Sequence, residues 1–276
     1  MRRICNTAAP GLPLAAPEPL ESLSLPISDR AWDVRDAGGG LPDIASPAPA
    51  ELGTVARFST ACQATHLLGH VLKHRDARKT ADSDEIFRLK DAFQIHATLM
   101  ALDERVLAGP EGSASAEDGN FEAIAILCSA RFILYNIYGC RDPDVRSSQA
   151  QLELEFALRR AAIDGIVALT SDRVPRIAQH ILTRTSLGAG ARGRGLSPTL
   201  CHSLYHAATE CAWLIQEGYS SEMKIALRTI VSALERLKGS WGFAGGTAWQ
   251  RGLLRLIRRQ NPISHCFLRM RMSRKC

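Results

Sequence analysis

From residue 54 to residue 238 the apolar residues recur at intervals of three and four, the period that gathers them on one face of an α-helix. Val55, Phe58, Cys62, Leu67, Leu68, Val71 and Leu72 predict a first helix over about 54–75. Asp82 and Glu85 have the spacing of a capping box, in which each side chain satisfies a backbone N–H at a helix start. The helix they open would carry Ile86, Leu89, Phe93, Ala97, Met100 and Leu107 on its apolar side. The small and acidic stretch Gly109–Gly119 predicts a loop. Phe121–Tyr138 is apolar nearly all round (Ile124, Leu127, Cys128, Phe132, Leu134, Tyr135), as expected of a helix buried on every side, with Gly139 as its stop. Val145–Leu169 predicts another long helix with Leu152, Phe156, Arg159, Ile163, Ile166 and Val167 inward. Val174–Leu187 follows as a separate helix, with Pro175 near its first turn, where a missing N–H is harmless.

The strongest signals lie between Leu196 and Trp241. Ser197 and Pro198 read as an N-cap and the first helical residue. Leu200, Leu204, Ala207, Ala208, Cys211, Leu214 and Ile215 then form a stripe, and Gly218 can take the left-handed turn that ends it. Ser220 or Ser221 starts the next helix, whose stripe is Met223, Leu227, Ile230, Leu234 and Leu237, with Gly239 as its stop. The short link predicts an antiparallel pair. No stretch alternates with the period of a β-strand, and no repeat is evident. The expected fold class is therefore all-α, a multi-helix globular bundle. Residues 1–53 hold most of the thirteen prolines and the Gly38–Gly40 run, which predicts a mostly extended or disordered segment. Trp32 within it is a candidate anchor to the body. The body is expected over 54–249 and a tail over 250–276.

Three stretches carry a resemblance to a known family. Ser197 and Pro198 with His202, Leu204, Tyr205, His206, Ala207 and Ala208, followed by Leu234–Trp241 (LERLKGSW), resemble the end of the regulatory domain, or middle homology region, of fungal zinc-cluster transcription factors. Leu23–Trp32 (LSLPISDRAW) is similar to an acidic segment near the start of that domain, and Phe58–Val71 (FSTACQATHLLGHV) to one of its helices. The likeness spans roughly residues 20–245 and is diffuse and helical. It implies a regulatory domain over 54–249 and a nuclear role in regulating transcription by RNA polymerase II. Its contacts would be other segments of a transcription regulator, co-regulator proteins or a small effector. The family's DNA reader, a six-cysteine, two-zinc cluster in a basic segment, has no counterpart, since Cys5 stands alone in the first fifty residues. Sequence-specific DNA binding by this chain alone is not expected. A fragment, a truncated product and a regulator without the cluster would each give this pattern. The chain also departs from the family after Trp241, where glycines and then basic residues replace the expected short helix. Trp241 itself is expected to pack back near Phe121–Tyr138.

Charge sharpens this picture. Residues 251–276 contain eight of the 34 basic residues and no acidic one, while the other 26 stand against 28 acidic residues. The body therefore lacks the basic bias that drives nucleic-acid binding. Hydrophobic residues make up 46% and aromatics 6%, a balance suited to Leu, Ala and Ile packing between helices. The eight cysteines are scattered without a CxxC pair, as expected of buried, reduced thiols in an intracellular protein. No signal peptide or membrane span is expected, since prolines interrupt the apolar part of the N-terminus and no fully apolar run reaches about 18 residues.

Candidate chemistry is sparse. His66, His70 and His74 are spaced i, i+4, i+8, and His202 and His206 form an i, i+4 pair beside Cys201. Such pairs can ligate zinc when a third ligand converges, and a helical metal-binding protein or enzyme using either cluster is the competing reading. The HExxH signature is absent from both. Histidines on helices more often border a core, so no metal site is assigned. Gly188, Gly190 and Gly193 match GxGxxG, but a helix rather than a strand precedes them, which favours a flexible loop whose Arg192 and Arg194 could meet an acidic partner. Ser129, Ser203 and Ser232 lie in predicted helices without a nucleophile elbow, and Glu153 and Glu155 read as solvated helix faces. The expectation is a protein that is not an enzyme, with no catalytic residue, cofactor or metal.

Overall fold

The computed structural model describes residues 57–77, 84–107, 114–139, 148–186, 198–218 and 221–238. They form helices α1 (Arg57–Ala77), α2 (Glu85–Leu107), α3 (Ala114–Tyr138), α4 (Gln149–Ala168), α5 (Val174–Ser186), α6 (Pro198–Gln216) and α7 (Ser221–Lys238). No strand occurs among the described residues, so the protein is all-α. It divides into two compact units, Met1–Ile133 and Leu134–Cys276, with the boundary inside α3. The limits expected at residues 53 and 249, Trp32, Trp241, the GxGxxG loop and the basic tail lie outside the described residues.

In the first unit α1 packs on α2. Leu68, Val71 and Leu72 are buried as expected, and Cys62 and Leu67 half-buried, while the side chain of Phe58 and all of Val55 lie outside the described residues. Asp82 of the expected capping box lies outside the described residues. Asp84 is the cap: its Oδ1 accepts from the Ile86 N–H at 3.0 Å and its carbonyl from Arg88. Glu85 instead pairs with Arg88 one turn on. The buried row of α2 is also rotated from the expected one. It runs through Leu89, Ala92, Ile95, Leu99, Leu102, Asp103 and Val106, leaving Ala97 and Leu107 exposed and Ile86, Phe93 and Met100 half-buried. Apolar residues lie around most of α2, so periodicity alone does not select a face. Asp103 makes the choice legible afterwards, because Arg131 on α3 meets it at 2.7 Å with both side chains buried.

Helix α3 begins at Ala114, inside the stretch read as a loop. From Ala123 to Tyr138 nearly every side chain is buried, as its uniform apolarity predicts. Phe121–Tyr138 is long and apolar enough to cross a bilayer, beyond what the sequence reading expected, but 72% of it is buried within the protein. Gly139 ends α3 with its N–H on the Tyr135 carbonyl at 2.7 Å.

The second unit corrects one expectation fully. The helices predicted as Val145–Leu169 and Val174–Leu187 are one continuous rod, α4 running into α5 through a π turn at Leu169–Arg173. Ser148 caps α4, its hydroxyl accepting from the Gln151 N–H. Pro175 explains the π turn. A proline inside a regular helix has no N–H and collides with the carbonyl four residues back. Widening the preceding turn moves that carbonyl aside, and the Val174 N–H reaches back to Leu169 rather than to Thr170. The Thr170 carbonyl thereby loses the partner a regular helix would give it, and the Cys211 thiol of α6 donates to it at 3.9 Å.

Around this turn α5, α6 and α7 pack together, with α7 lying against both α5 and α6. The α6 stripe is buried as predicted except Ile215, which is half-buried. Gly218 ends α6 at φ 85°, the left-handed turn expected there. On α7, Met223, Ile230, Leu234 and Leu237 are buried and Leu227 is half-buried. On α4, Phe156 was expected inside but is 56% exposed, whereas Leu158, Arg159, Ala162, Ile163 and Ile166 are buried. Gly165 of α4 lies against Tyr135: a Cβ there would sit 2.4 Å from the ring.

Candidate functional site

The largest departures from ordinary ionisation gather along α6, at Cys201, His202, Glu210 and Cys211. The helix begins at Pro198 and stops at Gly218, and its apolar stripe sets its rotation. That rotation leaves His202, His206 and Glu210, spaced i, i+4, i+8, half-buried in a row beside the core. The two imidazoles stand with ring centroids 4.5 Å apart, and Tyr205 meets His206 edge-on at 6.2 Å. Burial, reinforced by the neighbouring His206, pulls His202 down to about 3. Burial lowers His206 as well. Both rings are therefore neutral at physiological pH. Burial raises Glu210 to about 7, against the opposing effect of a hydrogen bond from the Asn136 side chain. Burial pushes the Cys201 thiol up to about 11. Burial and then the Glu210 charge push Cys211 up to about 12.

This arrangement can hold and release a proton at Glu210 near neutral pH, beside two uncharged imidazoles. It supplies no thiolate, so neither cysteine is poised as a nucleophile. Ser203, deep in the same helix, donates its hydroxyl to the Leu200 carbonyl and is spoken for. Ser129 is buried and Ser232 exposed, each within a regular helix turn.

The histidines of α1 do not act as a trio. His66 and His70 meet, with Nε2 atoms 3.0 Å apart. His74 turns to α2, where its Nδ1 lies 2.6 Å from Asp91. Among the described residues no group of three or more His, Cys, Asp and Glu is arranged to hold a metal ion. Glu153 is exposed as expected, but Glu155 is buried on α4 and accepts from Gln151, a correction to its reading as a solvated carboxylate.

Two features escaped the sequence reading. Glu210 continues the His202–His206 spacing by one more turn, so its place on that face was visible, but its desolvation was not. The buried Arg131–Asp103 pair joins residues 28 apart. His96 is held below its ordinary range first by its own burial and then by the positive charge of Arg131. An arginine inside an otherwise apolar helix was the available signal.

Comparison with protein-family models, with curated proteins and with solved structures finds no match to this chain.

Proposed function

We propose that this chain is a transcription-regulatory domain of the kind found in fungal zinc-cluster factors, acting in the nucleus on RNA polymerase II transcription. It works through contacts with other regulator segments, co-regulator proteins or a small effector, and not through a DNA reader of its own or through catalysis. The observation that carries this reading is the placement of helices on the resembling stretches. Phe58–Val71 falls within α1, and the stretches Pro198–Ala208 and Leu234–Lys238 fall on α6 and α7, packed on each other. The α6 face with Glu210 is the part of this hairpin whose charge responds to a partner or effector near neutral pH.

The test is a reporter assay. The full chain is fused to a heterologous DNA-binding module and expressed in a fungal nucleus. The fusion is expected to change reporter output relative to the module alone, and Leu234→Asp, which disrupts the α6–α7 pair, is expected to abolish the change. Output equal to that of the bare module would overturn the proposal.

A further inference from the structure

We propose that His66 and His70 of α1 form an accessible two-nitrogen site for a divalent transition-metal ion of the copper or nickel type. The spacing i, i+4 puts both imidazoles on one helix face. Their rings stand 4.5 Å apart at 71°, edge to face, and the Nε2 atoms converge to 3.0 Å. Nitrogens bound to a metal at about 2.0–2.1 Å and separated by this distance subtend about 91–97° at the ion. That is close to the right angle between neighbouring ligands of a square-planar or octahedral site, the geometry favoured by Cu(II) and Ni(II). A tetrahedral zinc would ask for a separation of about 3.3 Å at the same bond length.

The site is open as well as formed. His70 is exposed and His66 half-buried, so an ion can enter from solvent and water can complete its shell. In the pair without metal, one Nε2 carries the hydrogen that bridges to the other ring. An ion bonded to both nitrogens sits to one side of the line between them, and when it binds the donor ring carries its proton on Nδ1 instead. Both Nε2 lone pairs then face the ion and no net proton is lost from the neutral pair. Among the described residues no third His, Cys, Asp or Glu joins the pair in a group able to hold an ion. Cys62, whose thiol burial pushes up, is half-buried one turn before His66, and His74 is engaged with Asp91. The other histidine pair, His202 and His206, is set into the edge of the core, which makes it the control.

The experiment is a calorimetric titration of the full chain with Ni²⁺ at neutral pH, with thermal melts in parallel. The expected result is one site per chain, lost or weakened about tenfold or more in His70→Ala, since removing even a supporting partner of a ligand costs about 10–100-fold. His206→Ala should bind as the natural chain does. Saturating Ni²⁺ should raise the melting temperature of the natural chain and not of His70→Ala. His70 is exposed, so circular dichroism of His70→Ala should match the parent. Unchanged Ni²⁺ affinity in His70→Ala, loss of binding in His206→Ala instead, or no uptake by the natural chain would each overturn the proposal.

Discussion

At the scale of single residues, space and charge decide what a side chain can be. Gly165 sits inside α4, where alanine would normally gain about 1 kcal/mol of helix propensity. Here the added methyl would collide with the ring of Tyr135, which is 1% exposed and would have to shift within the core. Overpacking of this kind costs about 1–3 kcal/mol. Gly165→Ala is therefore expected to lower stability, and adding Tyr135→Leu should recover part of the loss; a denaturant titration of the three variants checks the sign. Glu210 gives a pH prediction. Its native pKa of about 7 lies above the ordinary 4.5, so the folded state holds its proton more tightly than the unfolded chain. The associated stability is present below about pH 4.5 and lost as pH rises through 7. His202 and His206 act in the opposite direction: lowered from 6.5, they favour the fold above that pH and weaken it as the medium becomes acidic. Glu210→Gln removes only the first effect. The melting temperature of the variant relative to the parent should therefore climb between pH 4.5 and 8, and a flat difference would refute the assignment. These residues show what the sequence conceals. Spacing placed Glu210 on a face with His206, and nothing in the spacing told how much water each would lose.

At the scale of elements, the joint between α4 and α5 is the part least readable in advance. Pro175 was legible as an interruption, and the ordinary inference is that one helix ends and another begins. The chain instead keeps the rod continuous by inserting a π turn, because α5, α6 and α7 all pack around that turn and a break would uncover it. Cys211 then serves as the partner of the Thr170 carbonyl. Cys211→Ala should cost about 1–3 kcal/mol, the usual penalty for leaving a buried acceptor without a donor. Cys211→Ser, which keeps a donor, should cost less than Cys211→Ala if the hydrogen bond and not the volume matters. The α7 stripe yields a graded expectation. Leu234 is 3% exposed and Leu234→Ala should destabilise by about 2–5 kcal/mol. Leu227 is half-buried, so Leu227→Ala should cost clearly less. Equal losses in thermal melts would mean that Leu227 is covered by something beyond the described residues.

At the scale of the whole molecule, the Arg131–Asp103 pair is a salt bridge sealed in the core of the first unit. Removing one member strands a charge in the core, which typically costs about 3–5 kcal/mol, whereas replacing both by apolar residues of similar size is often neutral. Asp103→Ala should thus destabilise far more than the double change Asp103→Leu with Arg131→Met, as measured by urea unfolding. The charge distribution makes a separate prediction. Any retention of the full chain on DNA should come from residues 251–276 and fall steeply with salt, as counterion release requires. Salt-resistant, sequence-selective binding after deletion of the tail would contradict it. By itself the sequence determined that this protein is helical, where the α6–α7 hairpin turns at Gly218, and that Phe121–Tyr138 is core. These follow from hydrophobic period, helix stops and uniform apolarity, which act over a few residues and need no partner to be read. The tertiary structure alone decided which face of α2 is buried, that α4 and α5 are one rod, that Phe156 faces outward, and that His74 leaves its neighbours for Asp91. The face of α2 and the turn of His74 depend on Arg131 and Asp91, residues distant in sequence, and a local pattern compatible with several faces is resolved only by what packs against it.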